Sequence, residues 1–231
     1  MVQREKKESR FDRGRETLKW IALITMTIDH IGAALYPEAS VLRLIGRLSF
    51  PLFCYLLVLG LESTRNVKRY FARLFIFAFI SQVPFYLALG LGPFESLNIF
   101  FTLSSSLIFT YSFKMRNPLL ALLPLFASVV LNFDYGIYGI MSIGCMQLFM
   151  KDTELGVISF LVLNLVFLRV WPTQFLSLFA LPIILFQKRW NLVNTDRKVD
   201  AKTGYPWWKK YFFYVYYPLH LTILYFVRVG F

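Results

Sequence analysis

The chain has 231 residues, 57% of them hydrophobic and 19% aromatic, with a net charge of +12. A soluble domain of this length lacks the polar surface to cover so much apolar side chain, so composition excludes an ordinary globular protein and points to a polytopic, all-α membrane protein. The basic excess does not indicate nucleic acid, because Lys and Arg fall in short connections between apolar runs instead of gathering on one soluble face.

In chain order, residues 1–17 form a charged arm of mixed sign. It is too long and too mixed for a signal-peptide n-region, and no small-residue cleavage site follows, so it reads as a retained, basic cytoplasmic arm near anionic lipid headgroups. The first apolar run, 18–36, contains Lys19 at one end and Asp29-His30 well inside. The second, about 41–61, carries Arg43 and Arg47 early and Pro51 in its middle. A basic connection, 62–70, holds Arg65, Lys68 and Arg69, and the third run, about 71–89, begins with Arg73 and includes Gln82 and Pro84. After a Gly-rich loop at 90–93 comes the fourth run, 98–113, with Asn98 and Thr102.

Segments 118–131 and 135–150 are short, the first holding Pro124 and the second rich in Gly. They form two short spans or one re-entrant hairpin, separated by residues 132–134. The seventh run is 155–168 and the eighth 175–186. The longest polar segment, 187–210, precedes a ninth run at 211–229.

The reading is one transmembrane domain, 18–231, of about nine helices, with eight to ten compatible with the pattern. Charge bias favours nine. The arm, 65–73, Lys114 with Arg116, Lys151 and 188–210 then share the cytoplasmic side, while the poorly charged turns share the other. This places the N-terminus in the cytoplasm and treats the two short segments as separate spans, in a multi-pass protein of the cytoplasmic membrane. Trp20, Trp171, Trp190, Trp207 and Trp208 all fall at predicted interfaces, where aromatic belts belong. The halves show no inverted repeat, which counts against a secondary transporter.

Charges inside a span cost about 3 kcal/mol or more each, so those in the first two runs mark a candidate site. Lys19 and His30 are eleven residues apart, three helical turns plus about 20°, so they leave one face about 16 Å apart along the axis. A cation at the rim aligned with a deep imidazole suits an elongated ligand with an anionic head and a reactive far end. Coenzyme A has that shape. Lys19 alone also fits a snorkelling lysine. His220, ten residues from Lys210, reaches the depth of His30. Asp29 and Arg47 lie at similar heights in an antiparallel hairpin, so Asp29 either orients His30 or forms half of a structural ion pair. Histidine suits general-base work because its ordinary pKa is near neutral.

Asn98 and Thr102, one turn apart, line a substrate entrance from outside or serve as interhelical hydrogen bonds. Cys54 and Cys145 read as small buried hydrophobes, not a disulfide framework. No metal-ligand cluster, nucleophile elbow, P-loop or dinucleotide fingerprint occurs.

Five blocks together carry a resemblance: L-K-W-I-A-L-I-T-M-T-I-D-H-I-G, R-L-I-G-R-L-S-F-P-L-F-C-Y-L-L, T-R-N-V-K-R-Y-F-A-R-L, N-I-F-F-T-L and Y-Y-P-L-H-L. They are similar to the TraX family, whose name-giving member acetylates the N-terminus of conjugative F pilin. Lys19-x(10)-His30 also resembles the R/K-x(10)-H signature of larger transmembrane acyltransferases, over one helix only. The resemblance implies a membrane-embedded acetyltransferase using acetyl-CoA as cosubstrate, without a metal. Its acceptor would be an amine or hydroxyl on pilin or another envelope component. His30 is then the expected base, with Asp29, Arg47 and His220 completing the catalytic group. Lys19, Arg65, Lys68, Arg69 and Arg73 would hold the CoA phosphates, and Arg43 the acceptor. The competing readings are a transporter or exporter component, with Asp29, His30 and Arg47 as a relay, and a non-enzymatic membrane assembly factor.

Overall fold

In hydrocarbon every backbone N–H and C=O must find a partner within the chain, and a helix supplies that partner locally. The apolar runs accordingly fold as helices. The computed structural model describes residues 12–193 and 207–230. The arm up to residue 11 and the middle of the basic segment 187–210 lie outside them.

Ten α-helices occupy the described residues: α1 (Asp12–Leu35), α2 (Ser40–Gly46), α3 (Ser49–Ser63), α4 (Val67–Leu89), α5 (Ile99–Lys114), α6 (Leu122–Val130), α7 (Gly136–Lys151), α8 (Thr153–Phe167), α9 (Ala180–Val193) and α10 (Trp207–Gly230). Short 3-10 turns, Pro118–Ala121 and Pro172–Phe179, lead into α6 and α9. With α2 and α3 taken as one interrupted run, nine segments follow one another along the chain. Contacts at the segment ends show the alternation of direction. Arg15 on α1 donates to Ser63 and Leu59 of α3 at one end, and Arg228 on α10 donates to the Ala88 carbonyl of α4 at the other.

The nine expected spans differ in length. Among the described residues, four stretches are long and apolar enough to cross a membrane: Gly14–Leu35, Ser40–Ser63, Val67–Leu89 and Tyr211–Gly230. Pro118–Val130 and Thr153–Phe167 are shorter apolar helices. The first helix also begins earlier than residue 18, inside the expected arm.

The second run is not continuous. It breaks at Arg47 and Leu48 because Pro51, at the third position of α3, has no N–H to return to the Arg47 carbonyl. Ser49 compensates in part, its hydroxyl donating to the Gly46 carbonyl at 2.7 Å. The break lets α2 fold back along α1 while α3 continues into the core. Gly32 and Gly46 permit that close approach. A Cβ on Gly32 would lie 2.8 Å from the Leu42 side chain, and one on Gly46 would fall on the Asp29 carboxyl group.

The core centres on α3, whose Phe50, Leu52, Cys54, Tyr55, Leu57, Val58, Leu59 and Leu61 are all buried. Outward faces are apolar instead of charged. Ile76, Phe79, Ile80 and Val83 of α4, Val162, Leu165 and Val166 of α8, and Leu219, Ile223 and Phe226 of α10 are exposed. Water solvates such faces poorly, and a bilayer solvates them well. At the end away from the basic connections, residues 95–98 and 132–134 clasp. Leu97 N–H donates to the Asn132 carbonyl at 3.0 Å, and Asp134 N–H to the Leu97 carbonyl at 2.9 Å.

Candidate functional site

Helix α1 turns one face toward α10, and that face carries the expected pair. Lys19 Nζ lies 4.7 Å from the Phe213 ring centre and is ion-paired with Glu16 at 2.8 Å. Two turns on, the Thr27 hydroxyl meets the Tyr216 hydroxyl at 2.8 Å. One turn beyond it, His30 Nδ1 meets His220 Nε2 at 2.8 Å, with both rings buried and stacked at 5.0 Å between centres.

The His220 ring is anchored in turn. Its Nδ1 lies 2.9 Å from the Tyr216 carbonyl, one turn back on its own helix. A carbonyl only accepts, so His220 Nδ1 carries the proton. For two neutral rings the remaining roles then follow: His220 Nε2 accepts, His30 Nδ1 donates, and His30 Nε2 is left with its lone pair. The arrangement holds His30 in one tautomer through a second imidazole, where many sites use a carboxylate, and leaves a nitrogen able to accept a proton. Tyr216 stacks on His220 at 5.1 Å, and Tyr217 stands edge-on to His30 at 5.8 Å.

Asp29 leaves α1 about 100° away from His30 and belongs to a different group. Its Oδ2 pairs with Arg43 Nη1 at 2.6 Å, while its Oδ1 lies 3.9 Å from Arg47 Nη2. The short ion pair is therefore with Arg43, and Arg47, expected as the partner, is the longer contact. Arg47 instead donates to Gln174 Oε1 at 3.2 Å. Gln174 continues to the Tyr138 hydroxyl at 3.3 Å, which meets Asn164 and Ser177 in a buried polar network.

The clasp between residues 95–98 and 132–134 brings Asp134 to this group. Burial pushes its carboxyl up to about 6, and the neighbouring Asp29 adds to the rise against the opposing pull of Arg47 and Arg43.

Asn98 and Thr102 do not line an open entrance, since both are fully buried. Asn98 caps α5, its Oδ1 accepting from the Phe100 N–H at 3.0 Å. Its Nδ2 donates to the Ala78 carbonyl at 2.7 Å and to Gln82 Oε1 at 2.8 Å. Arg65, Lys68 and Arg69 are exposed at the start of α4, away from the histidines. Arg73 is half-buried and lies over the Tyr70 ring at 5.5 Å.

Tyr216, Tyr217, Asp134 and Gln174 escape a reading built on charge and depth. The two tyrosines carry a usable signal, since they precede His220 by four and three residues and so share its helix face. Asp134 carries none, because its position depends on pairing with a segment 37 residues earlier.

An all-helical bundle with apolar outer faces, membrane-length helices and a buried histidine pair defines a membrane-protein class whose polar chemistry lies in its interior. The TraX protein family matches residues 14–228, and the chain belongs to that family. It is 27% identical over 232 residues to a probable fimbrial assembly protein FimC, serogroup H1, of Dichelobacter nodosus, covering 90% of this chain and 92% of that one. It is also 54% identical over 41 residues to an uncharacterised protein, RP591, of Rickettsia prowazekii (strain Madrid E), covering 18% of this chain and 16% of that one. No solved structure matches it.

Proposed function

We propose that the protein is a membrane-embedded acetyltransferase that moves an acetyl group from acetyl-CoA to an amine or hydroxyl of a surface-directed acceptor. The observation that carries this reading is the 2.8 Å contact between His30 and His220, which leaves His30 Nε2 as a base deep in the bundle. A process such as pilus or fimbrial assembly would supply the acceptor, a reading supported by the name of the Dichelobacter relative.

In this mechanism the acceptor gives its proton to His30 Nε2 as its nitrogen or oxygen attacks the thioester carbonyl carbon. The carbon–sulfur bond then breaks, and the leaving thiolate takes the proton from His30. His220 positions the base and shares its charge while the proton is held. Lys19, on the same face three turns away, would meet the anionic part of CoA at the cytoplasmic rim. Arg73 and the exposed Arg65, Lys68 and Arg69 would add to the attraction. Arg43 and Arg47, with Asp29 between them, would face the acceptor.

The test is acetyl-CoA binding and turnover by the purified protein in detergent, read by thermal shift and by release of free thiol. Wild type is expected to shift and to release thiol. His30→Ala is expected to bind but lose turnover by about 10²–10⁴-fold, the range for a general base. Lys19→Ala is expected to bind more weakly. Wild type that neither shifts nor turns over at saturating acetyl-CoA would end the proposal and favour the non-enzymatic assembly factor, the reading to which the relative's name also lends support.

A further inference from the structure

Tyr217 presents an anomaly that packing does not explain. Its side chain is 2% exposed and its hydroxyl, fully enclosed, has no hydrogen-bond acceptor among the described residues. Packing asks only for the ring, which stands edge-on to Phe100 at 5.0 Å, to His220 at 5.5 Å and to His30 at 5.8 Å. A phenylalanine would make those contacts without enclosing an unsatisfied hydroxyl.

The hydroxyl lies toward the N-terminus of α5, where the Ile99 backbone N–H points at it. Helix α5 is 16 residues long, so its first turn presents outward N–H groups with the positive end of the helix dipole behind them. The Phe100 and Phe101 N–H groups are engaged by Asn98, through its side chain and its carbonyl. Gln82 and the Ala78 carbonyl hold Asn98 rigidly in place. The first turn of α5 is thus fixed beside Tyr217, and the donor left without an acceptor there is the Tyr217 O–H. Asp29 and Asp134 also lie within electrostatic reach of Tyr217, and Arg43 and Arg47 oppose the charge of both carboxylates.

We propose that the Tyr217 O–H, polarised by the Ile99 N–H behind it, donates to the carbonyl oxygen of the acyl group as it becomes an oxyanion. This assignment rests on the acetyltransfer reading and names a catalytic residue within it. As the acceptor attacks, the carbonyl π electrons move onto oxygen, where the Tyr217 O–H stabilises them. When the carbon–sulfur bond breaks, those electrons return to re-form the carbonyl. Tyr217 keeps its proton throughout, and the transferred proton travels by His30. The arrangement gives one purpose to two separated sequence blocks: N-I-F-F-T-L builds and caps the helix end, and Y-Y-P-L-H-L supplies both the tyrosine and the orienting histidine.

The test is Tyr217→Phe in the full chain, with thiol release from acetyl-CoA measured against a small primary amine and against a small alcohol. The expected result is a kcat lower by about 10²-fold with both acceptors, because the oxyanion is common to both reactions. KM for acetyl-CoA should change less than twofold, and Tm should hold or rise. A merely structural tyrosine would lower Tm instead. The assignment is overturned by a kcat within threefold of wild type, by a loss confined to one acceptor, or by a loss matched by a fall in Tm. Wild type without turnover would overturn the acetyltransfer reading itself and this assignment with it. An active wild type with an equally active variant would overturn the Tyr217 assignment alone.

Discussion

His30 and His220 sit on helices that are far apart in sequence, yet their facing ring nitrogens are 2.8 Å apart, and the second ring is tied to its own helix at the Tyr216 carbonyl. In the proposed reaction the order of donors and acceptors would make His220 the positioning residue and His30 the base. Removing His220 should therefore cost less than removing His30. We expect His220→Ala to lower thiol release from acetyl-CoA by about 10–100-fold, with the tautomer of His30 no longer fixed. His220→Gln, whose amide oxygen can accept from His30 Nδ1, should recover part of that loss. Equal loss in His220→Ala and His220→Gln would show that the hydrogen bond to His30 is not what matters.

The hairpin of α1 and α2 depends on two glycines of unequal importance. A methyl at Gly46 meets the Asp29 carboxyl group, which is held by Arg43 and has nowhere to go, whereas a methyl at Gly32 meets a single Leu42 carbon at 2.8 Å. Overpacking of this kind costs about 1–3 kcal/mol. Gly46→Ala should lower Tm clearly in detergent, and Gly32→Ala should lower it less. A Gly46→Ala protein as stable as wild type would mean that the Asp29–Arg43 pair can shift without cost.

The helical period made one face of α1 legible before any coordinates. Eleven residues bring Lys19 and His30 round to the same side, and both do face α10. Depth counting matched His220 to His30 for the same reason, since both estimates depend only on rise per residue. It named Arg47 as the partner of Asp29, where Arg43 makes the shorter pair, because the two arginines differ by one turn and the count is no finer than a turn. The interruption before Pro51 then settled the pairing by carrying Arg47 toward Gln174. Helix lengths were less legible, since a Pro-led turn ahead of α6 or α9 shortens the regular helix while leaving the apolar run intact. Asp134 was invisible as a site residue because only a long-range clasp puts it there.

The Asp29–Arg43 pair is half-buried and charge-assisted, with Asp29 13% and Arg43 37% exposed at the side chain. Its coupling can be separated from any role in chemistry by a double-mutant cycle on stability. Asp29→Asn and Arg43→Gln should each destabilise, and together they should cost less than the sum, with a coupling of roughly 1–3 kcal/mol. Thiol release should follow stability if the pair only braces the hairpin. Additive stability effects would show that Arg47 or another group has taken the role of Arg43.

Asp134 gives a pH signature outside the membrane-spanning helices. Its carboxyl is raised from the ordinary 3.8 to about 6, first by burial and then by Asp29, with Arg47 and Arg43 opposing. The folded protein thus holds the Asp134 proton more tightly than the unfolded chain. That preference contributes stability in full below the unfolded value and loses it as pH rises through the folded one. Above about pH 6 the folded state carries an unfavourable charge at a half-buried site, which Asp134→Asn removes. Thermal unfolding of the variant and wild type should therefore diverge as pH rises from 4 to 8, with Asp134→Asn the more stable at pH 8. Near pH 4, where both side chains are neutral, the two should nearly coincide. A constant difference across the range, or a variant less stable at pH 8, would show that Asp134 gains more from Arg43 and Arg47 than it loses on burial.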